Sequence, residues 1–358
     1  MASTTDEDEL TSAIFGRTLS NKERQTLDAY LGLHWQHTQH FREKSQVSGH
    51  SYEPKVNQND LVNLIQTIRA TPEETKQDVI RRTFNAITVS TAEQQMLIRS
   101  ALRLLAMVDI EARQFDDVRR LYWKEKESYA KYLNRAFPYQ PGESRELLNA
   151  MKQVSQISAW NLQKRCNISC RATDNLAHHL LFDATEKVLY VFLHTGYLET
   201  VLGLAKDDFD IDSTLKKGYN LPRQLSLEVL VTTSMILFPV GDANSYDILE
   251  KLAEDSPQVD VQCLNGSKTV YEVVEAGDFE YHYFASRICD LHQLVLHPPP
   301  ANALMAWVQN HTSERNVLWI AILGLFISAF FGLLGFITGV IGCVLAWKQL
   351  QQGAGGPN

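Results

Sequence analysis

The side chains best equipped for chemistry fall between Cys166 and His194: thiols at Cys166 and Cys170, then Thr173, Asp174, His178, His179, Asp183 and His194. A helix opening at Asp174 would carry His178 one turn further along the same face, where the carboxylate could accept a hydrogen bond from the imidazole and tune it as a general base. Asp174 with His178 or His179 is therefore the catalytic candidate. The same residues serve equally as a helix cap joined to a buried polar network, because perturbed ion pairs are often purely structural. The spacing Cys-x3-Cys-x7-His matches no common zinc motif.

Carboxylates concentrate at Asp207-Asp208-Phe209-Asp210-Ile211-Asp212, where Asp208, Asp210 and Asp212 could hold Mg²⁺ or Ca²⁺. Counted from Asp208, the sixth position is Ser213 where an EF-hand has glycine, and the twelfth is Tyr219 where it has glutamate. A solvated acidic loop capping the next helix is the simpler reading. His34, His37 and His40 would fan across about 120° of a helix, so two could share a metal, but no carboxylate or cysteine completes the set. Neither metal nor cofactor is expected. P-loop, dinucleotide-fold, zinc-protease and nucleophile-elbow signatures are all missing from the sequence.

Composition sets the limits within which these residues must be positioned. With 44% hydrophobic and 21% charged residues among 358, the chain can bury a sizeable core. A formal net charge of -8 removes any general attraction to nucleic acid or anionic lipid. Five cysteines, one of them inside an apolar run, argue against a disulfide framework and for a reducing compartment.

Periodicity predicts helices through most of the first 150 residues. Leu61, Leu64, Ile65 and Ile68 lie on one face; Thr71-Pro72-Glu73-Glu74 offers a cap and a proline start, and Ser90 to Glu93 has capping-box spacing ahead of Leu97, Ala101, Leu104, Leu105 and Val108. Residues 116–136 read as one charged helix, and 143–165 as another. The period then changes. Asn167 to Ala172 and Lys187 to Leu193 read as strands, 222–238 leans to helix, and 245–254 and 278–296 are helices flanking a short hairpin at 259–274. The expected fold is mainly α with a small β element, an α+β body carrying one C-terminal transmembrane helix. Its parts are a helical region 1–142, an α+β region 143–296, a proline-rich linker and amphipathic lead-in 297–315, the membrane helix 316–348 and a polar tail 349–358.

From Val317 to Trp347 no charged side chain occurs, and the run exceeds the roughly 20 residues needed to cross hydrocarbon. A re-entrant hairpin at Gly332 and Gly335 is the alternative, but two crossings need about 40 residues. Gly324, Ser328, Gly332, Gly335, Gly339, Gly342 and Ala346 recur every three or four residues, within a stripe of roughly 80°. Such a stripe lets a second helix approach closely, so the expected partners are a lipid bilayer and a second copy of the chain. The acidic start Met1 to Glu9 is no export signal, which places the bulk of the chain in the cytosol behind a tail anchor. Sequons at Asn167, Asn265 and Asn310 argue for the opposite orientation.

The segments Ile157-Ser-Ala-Trp-Asn-Leu162, Thr173-Asp-Asn-Leu-Ala-His-His-Leu180 with Phe182-Asp183, and Trp307 with His311-Thr-Ser-Glu-Arg-Asn316 running into the apolar helix, together resemble a large group of fungal proteins. The resemblance spans about residues 150 to 350. It implies a fungal, membrane-associated protein with no assigned reaction, in a group sometimes encoded beside secondary-metabolite genes. The functional expectation is a membrane-anchored interaction or accessory protein, not an enzyme; the alternative is a membrane-tethered enzyme acting on an apolar small molecule.

Overall fold

Short polar side chains decide where the N-terminal helices start. Ser20, Asn57 and Ser90 each close a capping box, with Glu23, Asp60 and Glu93 respectively, and so satisfy amides that a helix leaves unpaired. The computed structural model describes residues 4–34, 57–84, 89–109, 121–140, 157–204, 210–256, 259–260, 263–264, 270–272, 279–298 and 317–353. Helices α1 (Thr4–Phe15), α2 (Asn21–Thr26), α3 (Gln58–Ala70), α4 (Lys76–Phe84), α5 (Thr91–Ala106), α6 (Tyr129–Ala136) and α7 (Ala159–Cys166) lead to the sheet. The predicted faces of α3 and α5 are the buried ones: Leu64, Ile65, Ile68, Ala101 and Leu105 are fully enclosed.

Two expected starts move. Thr71 ends α3, and α4 is capped four residues later by Thr75, whose hydroxyl accepts from the Asp78 amide at 3.3 Å. The charged helix expected from residue 116 begins, within the described residues, only at Tyr129. Tertiary pairing holds the preceding segment out of a helix, in a turn at residues 125–126: the amides of Lys76 and Gln77 donate to the carbonyls of Glu127 and Glu125, and Trp123 is buried.

Strand β1 (Ser169–Thr173) runs parallel to β3 (Val188–Phe192), which also pairs antiparallel with β2 (Phe182–Asp183), giving the order β1-β3-β2. Every residue of β3 is buried, as the central strand of a covered sheet requires. Next come α8 (Thr195–Leu204), α9 (Ile211–Lys216) and α10 (Arg223–Val231), the last continued by a π-helical turn over Thr232–Leu237. Gly196 lies at the start of α8, where a Cβ would stand 2.1 Å from the Thr26 carbonyl, so no other residue fits without moving α2. Helices α11 (Ala243–Asp255) and α12 (Ala285–Leu296) complete the body. The expected hairpin at 259–274 is not formed among its described residues, of which 263–264 and 270–272 are helical turns. The residues up to Pro298 make one compact unit.

The second unit contains α13 (Val317–Gly353), an unbroken helix that excludes a re-entrant hairpin at Gly332 and Gly335. Its segment Ile322–Gln349 is long and apolar enough to cross a membrane, and its most apolar stretch is unburied. At about 1.5 Å per residue these 28 residues reach some 42 Å, longer than a hydrocarbon core. The amphipathic lead-in expected around Leu304, Trp307 and Val308 lies outside the described residues.

Candidate functional site

Parallel pairing of β1 and β3 puts the residues that follow both strands, Asp174 and His194, at one end of the sheet. No helix opens at Asp174. Asn175 instead caps a 3₁₀ turn, Leu176–His178, its side chain accepting from the Ala177 amide at 3.2 Å. Leu180, at φ 59°, then turns the chain back into β2. The expected Asp174 and His178 dyad therefore loses the helical register that would have produced it. The carboxylate of Asp174 accepts from Arg103 at 3.0 Å, while His178 Nε2 lies 3.2 Å from the Asn175 amide nitrogen.

Arg103 reaches this point from the last turn of α5 and is shared. It also donates to Asp109 at 2.8 Å, and Arg99 grips the two Asp109 oxygens at 3.0 and 2.9 Å. The result is an alternating chain, Arg99, Asp109, Arg103, Asp174, in which two guanidiniums balance two carboxylates. Beside it lies the buried His194, whose Nδ1 makes no hydrogen bond among the described residues; burial pushes its pKa down to about 4, against the pull of Asp174. His178 is also held below its usual value, first by burial and then by the Arg287 guanidinium.

His179 is completely buried and serves the frame. Its Nδ1 accepts from the Phe192 amide at 3.2 Å, so the proton sits on Nε2, which donates to Thr232 Oγ1 at 2.6 Å. The ring meets Phe284 edge to face at 5.1 Å, and Arg287 on α12 donates to the carbonyls of Ala177 and His179. This histidine ties β3, α10 and α12 together in its neutral form, well below the pKa of a free imidazole because burial opposes charge. It has no lone pair left for a substrate.

The other candidates separate. Asp210 caps α9 through the Ser213 amide at 2.8 Å and hydroxyl at 2.6 Å, and these bonds lower its pKa; Asp212 accepts from Asn134 on α6 at 2.8 Å. Asp208, like His37 and His40, lies outside the described residues, and among those described no group of three metal-ligating side chains converges. Cys166 donates to the Leu294 carbonyl at 3.4 Å, and burial raises the Cys170 thiol to about 12. Two recesses stand out among those that described residues form. One, of about 580 Å³, lies between Arg69 to Glu74 and Leu215 to Gly218; the other, about 20 Å³ between His34 and Arg103, has room for roughly one water. Asp174, His178 and His179 line neither.

Sequence reasoning missed Arg99, Arg103 and Asp109. Arg103 and Asp174 are 71 residues apart, and no local spacing encodes their meeting. Along α13 the seven small residues lie on one continuous helix. A Cβ added at Gly324, Gly332, Gly335, Gly339 or Gly342 would meet nothing, so this stripe is open. Comparison with protein-family models, with curated proteins and with solved structures found no match.

Proposed function

We propose that this chain is a single-pass membrane protein whose helical body binds other proteins at a lipid surface, with the bulk of the chain on the cytosolic side. The observation that carries the reading is the unburied apolar segment Ile322–Gln349. A helix that is apolar all round belongs either in a protein core or in a membrane, and the absence of burial favours the second. Tethering confines the body to a surface and raises its effective concentration towards anything else held there.

Self-association through Gly324, Ser328, Gly332, Gly335, Gly339, Gly342 and Ala346 is part of the proposal, supported by the open stripe. The accessory role in a fungal secondary-metabolite pathway rests on sequence resemblance alone. A tethered enzyme acting on an apolar small molecule has less behind it, since Asp174 is neutralised by Arg103 and His179 has both ring nitrogens engaged.

A membrane two-hybrid assay of the full chain tests the assembly, with Gly335→Leu and Gly339→Leu combined as the variant. Association that falls to background supports pairing along the stripe; association that the variant leaves intact removes it. Expressed in a eukaryotic cell, Asn167, Asn265 and Asn310 should carry no glycan, and an endoglycosidase-sensitive form would reverse the orientation.

A further inference from the structure

Glu228, on α10, is fully buried, and its carboxylate has no cationic partner among the described residues. Its Oε1 accepts from the His282 amide at 2.6 Å and the Gln224 side chain at 3.1 Å, while Oε2 accepts from the amides of Tyr283 and Phe284, both at 2.9 Å. Those three consecutive amides form the strap that leads into α12, the last helix before the body ends at Pro298. A carboxylate taken out of water is expensive unless paired, and here only neutral donors face it.

We propose that Glu228 is a pH-responsive clasp whose ionisation sets how firmly residues 282–284, and with them the start of α12, are held to the body. The clasp stands whether or not α13 lies in lipid.

The groups around it are few. Its own helix contributes Gln224. The strap contributes Tyr281 and Tyr283, whose ionisation Glu228 opposes, and His282, whose ring stacks on Tyr139 with Nε2 3.9 Å from Glu280. Asp210 and Asp212 act on Tyr283 from α9. Arg287 of α12 spends its guanidinium on the carbonyls of Ala177 and His179, 5.4 Å over the Phe284 ring. Helix α8, packed on α10, carries Tyr197, which donates to the Leu105 carbonyl, and Glu199.

Burial outweighs the four hydrogen bonds and raises the Glu228 pKa from 4.5 to about 7. With the strap released the carboxyl would return to water and to its ordinary value. The closed form therefore prefers the proton: the clasp is tightest below pH 4.5 and weakens as pH rises through 7. From these two values, the equilibrium for local opening grows about 20-fold between pH 5.5 and 7.5.

Amide hydrogen exchange of the full chain in phosphatidylcholine nanodiscs, corrected for the intrinsic rate at each pH, measures this directly. The expected result is a roughly 20-fold loss of protection at residues 282–284 from pH 5.5 to 7.5, beyond any change in α5, and no such loss in Glu228→Gln. Equal protection at both pH values, protection that rises with pH, or a dependence that survives Glu228→Gln would overturn the clasp. Should the variant fail to fold, the wild-type difference between the strap and α5 decides alone.

Discussion

The body and α13 use the same apolar residue types in opposite ways. On α3, Leu64, Ile65 and Ile68 are wholly enclosed, whereas on α13 Leu325, Phe326, Phe331 and Phe336 are between 67% and 73% exposed. Exposed large apolar side chains described in the body are scattered, at Tyr122, Tyr139, Val240, Tyr246 and Leu296, but on α13 they run without interruption. Scattered exposure is normal for a protein in water; a continuous apolar cylinder is not. The two regions therefore meet their surroundings with opposite chemistry. Their polar groups agree with this. The body matches its buried polar groups, Asp109 with two arginines and Glu228 with four neutral donors, while α13 has no charge from Val317 to Trp347 to match.

The contrast breaks most visibly if charge is forced into the second region. Leu333→Arg combined with Phe336→Arg places two guanidiniums near the middle of the span, each opposing insertion by about 2.5–3.5 kcal/mol. The variant should move from the membrane pellet to the supernatant after fractionation.

Paired truncations sharpen it next. Leu64→Ala should lower the stability of the body by about 2–5 kcal/mol in urea unfolding, because a cavity opens in a closed core. Leu333→Ala should change it by under about 0.5 kcal/mol.

A smaller effect separates the buried polar groups from their exposed counterparts. The folded pKa of His194, about 4, lies below the roughly 6.5 of an unfolded histidine, so its contribution is complete above pH 6.5 and is lost as pH falls towards 4. The full difference is about 3 kcal/mol. Glu228 works with the opposite sign over pH 4.5 to 7, so the quantity to measure is the variant minus the wild type. With His194→Gln that difference should rise by up to about 3 kcal/mol as pH falls from 6.5 to 4. The smallest effect belongs to Asp174→Asn. Asp174 is 27% exposed and shares Arg103 with Asp109, so screening leaves a loss of about 1 kcal/mol or less.

Local signals in the sequence carried α3, α5, both longer strands and α13, because in each a short run of chain carries the pattern of residue types that marks the element. Ser90 and Glu93 close their capping box wherever the rest of the molecule lies. Signals failed where a distant partner took over the backbone. The helix expected from residue 278 starts at Ala285, since Glu228 claims the amides of residues 282 to 284 before they can join it. Asp174 is drawn off by Arg103 in the same way. The candidate site was thus legible as a set of residue types around β1 and β3, and its true partners were not, because they arrive from α5 and α10.

The proposed placement of α13 in lipid is tested most directly by flotation of the full chain with phosphatidylcholine vesicles after alkaline carbonate extraction. The chain should float with the lipid and resist extraction, and a chain truncated before Val317 should remain at the bottom of the gradient. Full-length protein that stays soluble, monomeric and lipid-free without detergent would contradict a membrane role for α13.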